Sequence, residues 1–406
     1  MFRSSRPRPC GATPASYFST RRVRPRVPTG GRFADPNCYR RIMNHETDVA
    51  IVGARVAGSV TAILLGRAGY RVALIDSTTF PSDTISTHFF RGAGLVSVLE
   101  RLGLLDDVLA LGSPRLTSQY SFRSDQTAPS VEGPQDPGEA GVCLSVRRRQ
   151  LDQILVSLAR STPGVEMWEA TTARSLLRDG DRVTGLAVDR DGVSHALAAR
   201  LVVGADGRGS SVARWVDAAE ERRETAARAM YYRYVRGFRG PGGSWDGPVF
   251  SFQGDELAYA FPSDDDVTCI ALSINLAAFA AFRGAAEFRF SERLSRHPGL
   301  AAAFQSSTVE GRLLGSGPKD AVARRPFGPG WALVGDAGLS QDPWTGLGMD
   351  NAGSHAVFLA EAIDDWLSER STESHAFGAY GSRRDQHAMS GFNETAEYGR
   401  DLSVLG

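Results

Sequence analysis

Apolar positions along the chain change their spacing in a way that separates helices from strands. Positions 48–53 (DVAIVG) form a short apolar run ending in glycine, 57–69 carry apolar residues at helical spacing, and 71–76 (RVALID) form a second apolar run. This predicts strand, helix, strand, with Gly69 as the left-handed cap of the helix. Helical spacing predicts helices over 92–111 and 151–160, whereas 113–140 is rich in Ser, Pro and Gly and predicts a surface loop. From 165 to 203, short alternating segments are separated by Asp179-Gly180-Asp181 and Asp191-Gly192, the turn chemistry of a β-meander. Four strand-like runs at 230–235, 249–252, 257–261 and 267–274 predict an antiparallel sheet rather than a second βαβ unit. A strand at 331–334 and a helix over 346–367 complete a domain assembled from discontinuous pieces.

The first 42 residues follow no such pattern. They hold ten arginines and one acid, Asp35, among Pro, Gly and Ser. A presequence, a nucleic-acid-binding arm and untranslated upstream DNA share this composition. The favoured reading is a disordered or misassigned leader, with the working chain starting near Met43. The remaining 364 residues suffice for one large domain or two intimately packed ones. Formal charge is zero, so no global field points to nucleic acid. Lys319 is the one lysine among 46 Lys and Arg, a bias of base composition that carries no binding inference. Cys10, Cys38, Cys143 and Cys269 lack disulfide or metal-ligand spacing, so no metal is expected and a reducing, cytoplasmic setting fits. No apolar run reaches the roughly 18 residues that span a bilayer.

Gly53-Ala54-Arg55-Val56-Ala57-Gly58 lies between the first strand and helix, and Asp76 ends the next strand. In a dinucleotide site the N–H groups at such a helix start bind pyrophosphate, and the acid binds the adenosine ribose. Arg55 departs from the fingerprint, which has glycine there so that backbone can approach the phosphates. The sequence allows its side chain to turn outward or to lie beside the pyrophosphate as an extra donor. Gly204-Ala205-Asp206-Gly207 follows one apolar strand directly, and Gly335-Asp336 follows another. Pro343-Trp344-Thr345-Gly346-Leu347-Gly348-Met349 then opens the long helix.

These three motifs, in this order, resemble the para-hydroxybenzoate hydroxylase type of flavoprotein over roughly residues 46–400. The resemblance implies an α/β fold class: a Rossmann-like FAD-binding domain of glutathione reductase type with an inserted antiparallel-sheet substrate domain. The FAD-binding domain would comprise 43–112, 141–225 and 318–370. The substrate domain would span 226–317, the surface loop 113–140 and a C-terminal helical segment 371–406. By the same resemblance Asp206 and Gly207 lie beside the pyrophosphate and adenosine, and Asp336 holds the flavin ribitol. The backbone of 343–349 faces the isoalloxazine, where a helix start favours negative charge on the reduced ring. The segment 145–152 resembles the family's helix entry that places an arginine near the phosphates; Arg148 fits the spacing, and Arg147 and Arg149 read as surface charges. His88, in the loop 82–91 that passes the ring in relatives, is the titratable candidate for proton transfer, against a structural histidine. Tyr232, Tyr234, Tyr259 and Phe261 are candidates for the pocket roof; alternation places Tyr232 and Tyr234 on one face and Tyr231 on the other.

The function implied first is a monooxygenase, in which NAD(P)H reduces FAD and a flavin hydroperoxide delivers oxygen to an electron-rich, aromatic or polyketide-like small molecule of secondary metabolism. A reductase of isoprenoid double bonds ranks second, because Tyr259-Ala260-Phe261-Pro262 resembles the Tyr-x-x-x-Phe-Pro strand of geranylgeranyl reductases, though without its tryptophan and one spacer residue. A flavin halogenase ranks third: the tryptophan-rich segment of that branch is missing, and Lys319 is the available lysine. Expected partners are a small-molecule substrate and, as a further option, a flavin reductase. The oligomeric state is left open.

Overall fold

The computed structural model describes residues 45–405 apart from 87 and 125, so the leader expected over 1–42 lies outside the described residues. Strand β1 (His45–Val52) feeds two cores. Val49 and Ile51 join one while Ala50 and Val52 join the other, which is why the strand reads as a continuous apolar run. Helix α1 (Val56–Arg67) follows, and β2 (Val72–Ile75) returns parallel to β1.

The 92–111 stretch is not one helix. It consists of a wide turn at Gly92–Val96 and short helices at Ser97–Leu102 and Leu105–Leu109, interrupted where Gly103 takes a left-handed conformation. The 113–140 stretch, expected as a surface loop, contributes β3 (Gln119–Phe122) and β4 (Ser130–Glu132) to a sheet, because the Phe122 ring is buried in that sheet's core. Helix α2 (Arg148–Ser161) precedes β5 (Val165–Trp168), which pairs in parallel with β2. The first segment of the expected meander therefore belongs to the parallel sheet. Only β6 (Thr171–Asp179), β7 (Arg182–Arg190) and β8 (Val193–Gly204) run antiparallel, turning at the two predicted Asp/Gly sites.

Beyond it come β9 (Arg228–Arg236), β10 (Val249–Gln253), β11 (Glu256–Pro262), β12 (Val267–Asn275) and β13 (Thr308–Ser316). The chain closes through β14 (Trp331–Leu333), α3 (Gly348–Leu367) and α4 (Glu373–Gly399). Two large sheets result. In the first, β14, β8, β1, β2 and β5 lie side by side in parallel, with α1, α2 and α3 sharing a core on one face and the β6–β7 hairpin contributing to the core on the other. In the second, the order is β13-β9-β12-β11-β10-β3-β4, antiparallel except where β3 meets β10.

The second sheet has two different faces. Tyr231 packs against Phe282 on one, whereas Met230, Tyr232, Tyr259 and Phe261 form a core with Phe89 on the other, as strand alternation requires. Arg147, read from sequence as a surface charge, is half-buried and binds Asp264 through its backbone N–H (2.7 Å) and Nε (2.8 Å), fastening the start of α2 to the β11–β12 turn. Arg228 is buried and commits its guanidinium to Asp255, Ser273 and the Gly399 carbonyl, tying β9 to the end of α4.

The tightest constraint is the crossing of α1 over the first loop. A Cβ on Gly58 would lie 1.7 Å from the Gly53 carbonyl oxygen, and one on Gly53, at φ +103°, would lie 2.4 Å from that of Ala205. Gly58→Ala should cost at least about 3 kcal/mol of stability. Gly69→Ala, strained by φ +91° but with open space around it, should cost about 1–2 kcal/mol. Urea unfolding followed by tryptophan fluorescence measures both.

Candidate functional site

A cleft of about 780 Å³ opens between the ends of β1, β2 and β8 and the second sheet. Gly53, Arg55, Val56, Ala57, Asp76, Arg148, Asp206, Gly207, Asp336, Pro343, Gly346, Gly348, Met349 and Tyr232 all line it. Gly58 and Gly335 sit behind this surface, packed against Gly53 and Ala57 respectively. Leu347 is the residue from which α3 departs. Gly346, expected inside that helix, instead ends the short turn Pro343–Thr345 in a left-handed conformation.

Two helix starts open onto the cleft. Neither α1 nor α3 has a side-chain cap, and Val56, Ala57, Gly348 and Met349 from their first turns line the cavity. Such N–H groups have no partner within their own helix and carry partial positive charge.

The structure resolves the two options for Arg55. Its guanidinium binds the Asp152 carboxylate, the Ser82 hydroxyl (3.2 Å) and the Asp83 carbonyl (3.0 Å). Arg148, one turn before Asp152 on α2, grips the same carboxylate through Nε (3.1 Å) and Nη2 (2.9 Å). Asp152 is fully buried and holds both cations beside the cleft, so the glycine loop, α2 and loop 82–83 are joined at one carboxylate. Sequence reasoning missed its role. The i, i+4 spacing from Arg148 was a signal, but Arg55 is 97 residues away.

The acids differ in what already occupies them. Asp76 accepts from the Ala54 N–H (2.9 Å) and from Thr78, so it fixes the loop it faces. Asp206 spends both oxygens on Ser210 and the N–H groups of Ser211 and Val212, at the start of a short helix. The Asp336 side chain makes no hydrogen bond among the described residues and lines the cleft; burial raises its carboxyl, opposed by the positive fields of Arg208 and Arg148.

Of the aromatic candidates, Tyr232 reaches the cleft; Tyr234, Tyr259 and Phe261 form the layer behind it. His88 is buried and does not line the cavity. Its Nε2 lies 2.5 Å from the Tyr234 hydroxyl, and its Nδ1 has no partner among the described residues.

Residues 46–234 match the family described as FAD binding domain. The chain belongs to this FAD-binding superfamily. It is 23% identical to digeranylgeranylglycerophospholipid reductase 1 of Methanococcoides burtonii, over 84% of this chain and 80% of that one. It is 27% identical to kynurenine 3-monooxygenase of Salinispora arenicola, over 84% of this chain and 76% of that one. Among solved structures, the flavin-dependent brominase Bmp2 shares the fold, with a TM-score of 0.78, 20% identity and 89% of each chain covered. The chain is therefore an FAD-dependent oxidoreductase whose relatives divide among reductases, monooxygenases and halogenases. Among the described residues no helix is long and apolar enough to cross a membrane.

The cleft suits FAD on its own terms. Two uncapped helix starts and Arg148 match anionic groups, a glycine cradle that a Cβ would fill lets backbone approach, and the unpartnered Asp336 awaits hydroxyl donors.

Asp342 also lines the cleft, and no sequence motif singled it out. It is 7% exposed; Oδ1 accepts from the Trp344 N–H (3.1 Å), while Oδ2 has no hydrogen-bond donor among the described residues. Burial pushes its carboxyl up from 3.8 to about 6, against the Trp344 N–H, the fields of Arg228 and Arg208 and the nearby Arg228 N–H. The folded protein thus keeps this proton to a higher pH than the unfolded chain, so stability is lost as pH rises from 3.8 to about 6 and stays lost above. Asp342→Asn keeps the cap and removes the buried charge. It should raise stability at pH 8 by about 1–3 kcal/mol, with the gain shrinking toward pH 4, measured by chemical unfolding across pH.

Proposed function

We propose that this oxidoreductase is a monooxygenase that oxygenates an electron-rich aromatic molecule, with NAD(P)H as reductant. The observation that carries the reading is a run of two packed tyrosines leading from the cleft to a buried imidazole. Tyr232 lines the cleft and accepts from the Ser86 N–H (3.4 Å). Its ring packs edge-on against that of Tyr234 (centroids 5.8 Å apart), whose hydroxyl in turn meets His88. Burial pulls His88 down to about 3, so it is neutral at physiological pH and its Nε2 can accept a hydrogen bond from the Tyr234 hydroxyl. A substrate hydroxyl or amine beside Tyr232 can donate a hydrogen bond to the Tyr232 hydroxyl, which orients the attached ring and raises its electron density without moving a proton onto the neutral His88.

Bound FAD supplies the electron transfer. The protein's part is to hold and enclose it. The α1 start and Arg148 would take the pyrophosphate, Asp76 the adenosine ribose, Asp336 the ribitol hydroxyls, and the α3 start the negative charge of the reduced ring. Asp206 would act through the loop it caps rather than by direct contact.

Reduction of isoprenoid double bonds is the second reading, favoured by the reductase relatives and by the Tyr259–Pro262 segment lying within β11. Oxygen separates the two. The FAD-loaded protein should consume oxygen and NAD(P)H together with a phenol or indole, and product should be absent under anaerobic conditions. Anaerobic saturation of a geranylgeranyl lipid would instead establish the reductase. Product formation only when a separate flavin reductase supplies electrons would remove NAD(P)H as this chain's own reductant. Chloride- or bromide-dependent product that is lost on replacing Lys319, which stands exposed at the cleft, would establish a halogenase.

Asp336→Ala should weaken FAD binding by at least about tenfold, as loss of charge-assisted hydrogen bonds requires; unchanged affinity by fluorescence titration would refute the ribitol role. His88→Ala and Tyr232→Phe should leave flavin content intact while lowering kcat about tenfold to a hundredfold. Full activity in both would make the run of tyrosines purely structural.

A further inference from the structure

We propose that Asp342 selects the substrate by accepting a hydrogen bond from an N–H or O–H donor on an aromatic molecule entering the cleft. This deepens the monooxygenase reading and rests on its placing the substrate in this cleft.

The argument begins with an unmet requirement. A carboxylate oxygen buried without a donor is costly, and Asp342 Oδ2 is one. Groups around it do not meet the need. Arg228 contributes its field and brings its backbone N–H near the carboxylate without completing a hydrogen bond to Oδ2, while its guanidinium is committed to Asp255, Ser273 and Gly399. Arg208 donates to the carbonyls of Asp320 and Gln341. Tyr259, close enough for Asp342 to perturb it, directs its hydroxyl to the Met230 sulfur (2.9 Å). The neighbouring Gln341 Oε1 is also buried without a partner. What faces this spot is the cleft, whose lining also includes Met230, Tyr232, Met349 and Phe89. A ligand that fills it thus meets an apolar, partly aromatic wall with an acceptor set into it. A site built to hydrogen-bond a donor discriminates strongly against an analogue lacking one.

The test uses the FAD-loaded full chain and two matched pairs of probes, indole with 1-methylindole and phenol with anisole, titrated by calorimetry and by the shift in flavin absorbance. Each donor should bind about tenfold or more tightly than its methylated partner. In Asp342→Asn, where the amide keeps the Trp344 cap but presents N–H to the ligand, the preference should fall to within about twofold at equal FAD content. If that variant does not fold, Asp342→Ser, which retains a capping oxygen and withdraws the second acceptor, should give the same collapse. Equal binding within both pairs, no binding of any probe, or a preference that survives substitution overturns the proposal. Loss of FAD from the folded variant also overturns it, by assigning the carboxylate to the flavin. Failure of the monooxygenase reading has a different signature: the binding preference persists while oxygen consumption is absent.

Discussion

The buried carboxylate of Asp152 is the interaction on which the arrangement of the cleft depends. It sits on α2, yet it draws in Arg55 from the glycine loop and Arg148 from its own helix, and Arg55 extends the link to loop 82–83. Such a cluster is poor evidence of net stability, because desolvating the charges offsets most of their attraction. Its contribution is geometric. It keeps a bulky arginine at a position where dinucleotide sites prefer glycine by turning the side chain sideways, and leaves the N–H groups of the α1 start facing the cavity.

A second buried pair does similar work at the start of α3. Arg91 binds Asp350 on the first turn of α3 (3.0 Å), and the Arg91 and Leu95 N–H groups reach the same carboxylate. Loop 82–91 is consequently held at both ends, by Asp152 and by Asp350. Phe89, Ser86 and His88 are placed by that loop, so the cleft wall and the imidazole behind it inherit their positions from ion pairs outside the reacting region. Asp342 and Asp336 are the exceptions. They are acids at the cleft surface that the fold leaves incompletely partnered, which sacrifices some stability where binding requires it.

The local alternation and turn chemistry of the chain determined much of the architecture. The βαβ unit, the meander turns at Gly180 and Gly192, and the faces of Tyr231 and Tyr232 follow from nearest-neighbour sterics and burial, which act over a few residues. The convergence of Gly53, Asp76, Asp206 and Asp336 was legible for a different reason: each follows an apolar strand, and adjacent parallel strands end on the same side of a sheet.

Tertiary structure decided what depended on partners far along the chain. Whether Arg55 faced phosphate or protein depended on an aspartate 97 residues away. Whether His88 met the cleft directly depended on Tyr232 and Tyr234, which come between them in space but lie 146 residues from Ser86 and His88 in sequence. The weakly patterned 113–140 stretch became two strands because an edge elsewhere received Phe122. Asp342 has the sequence of an ordinary turn cap before proline, and only the packing of two sheets around it leaves one of its oxygens without a donor. Short-range chemistry is written in the spacing of residues, whereas the charge state and free valences of a buried group are set by everything that closes around it.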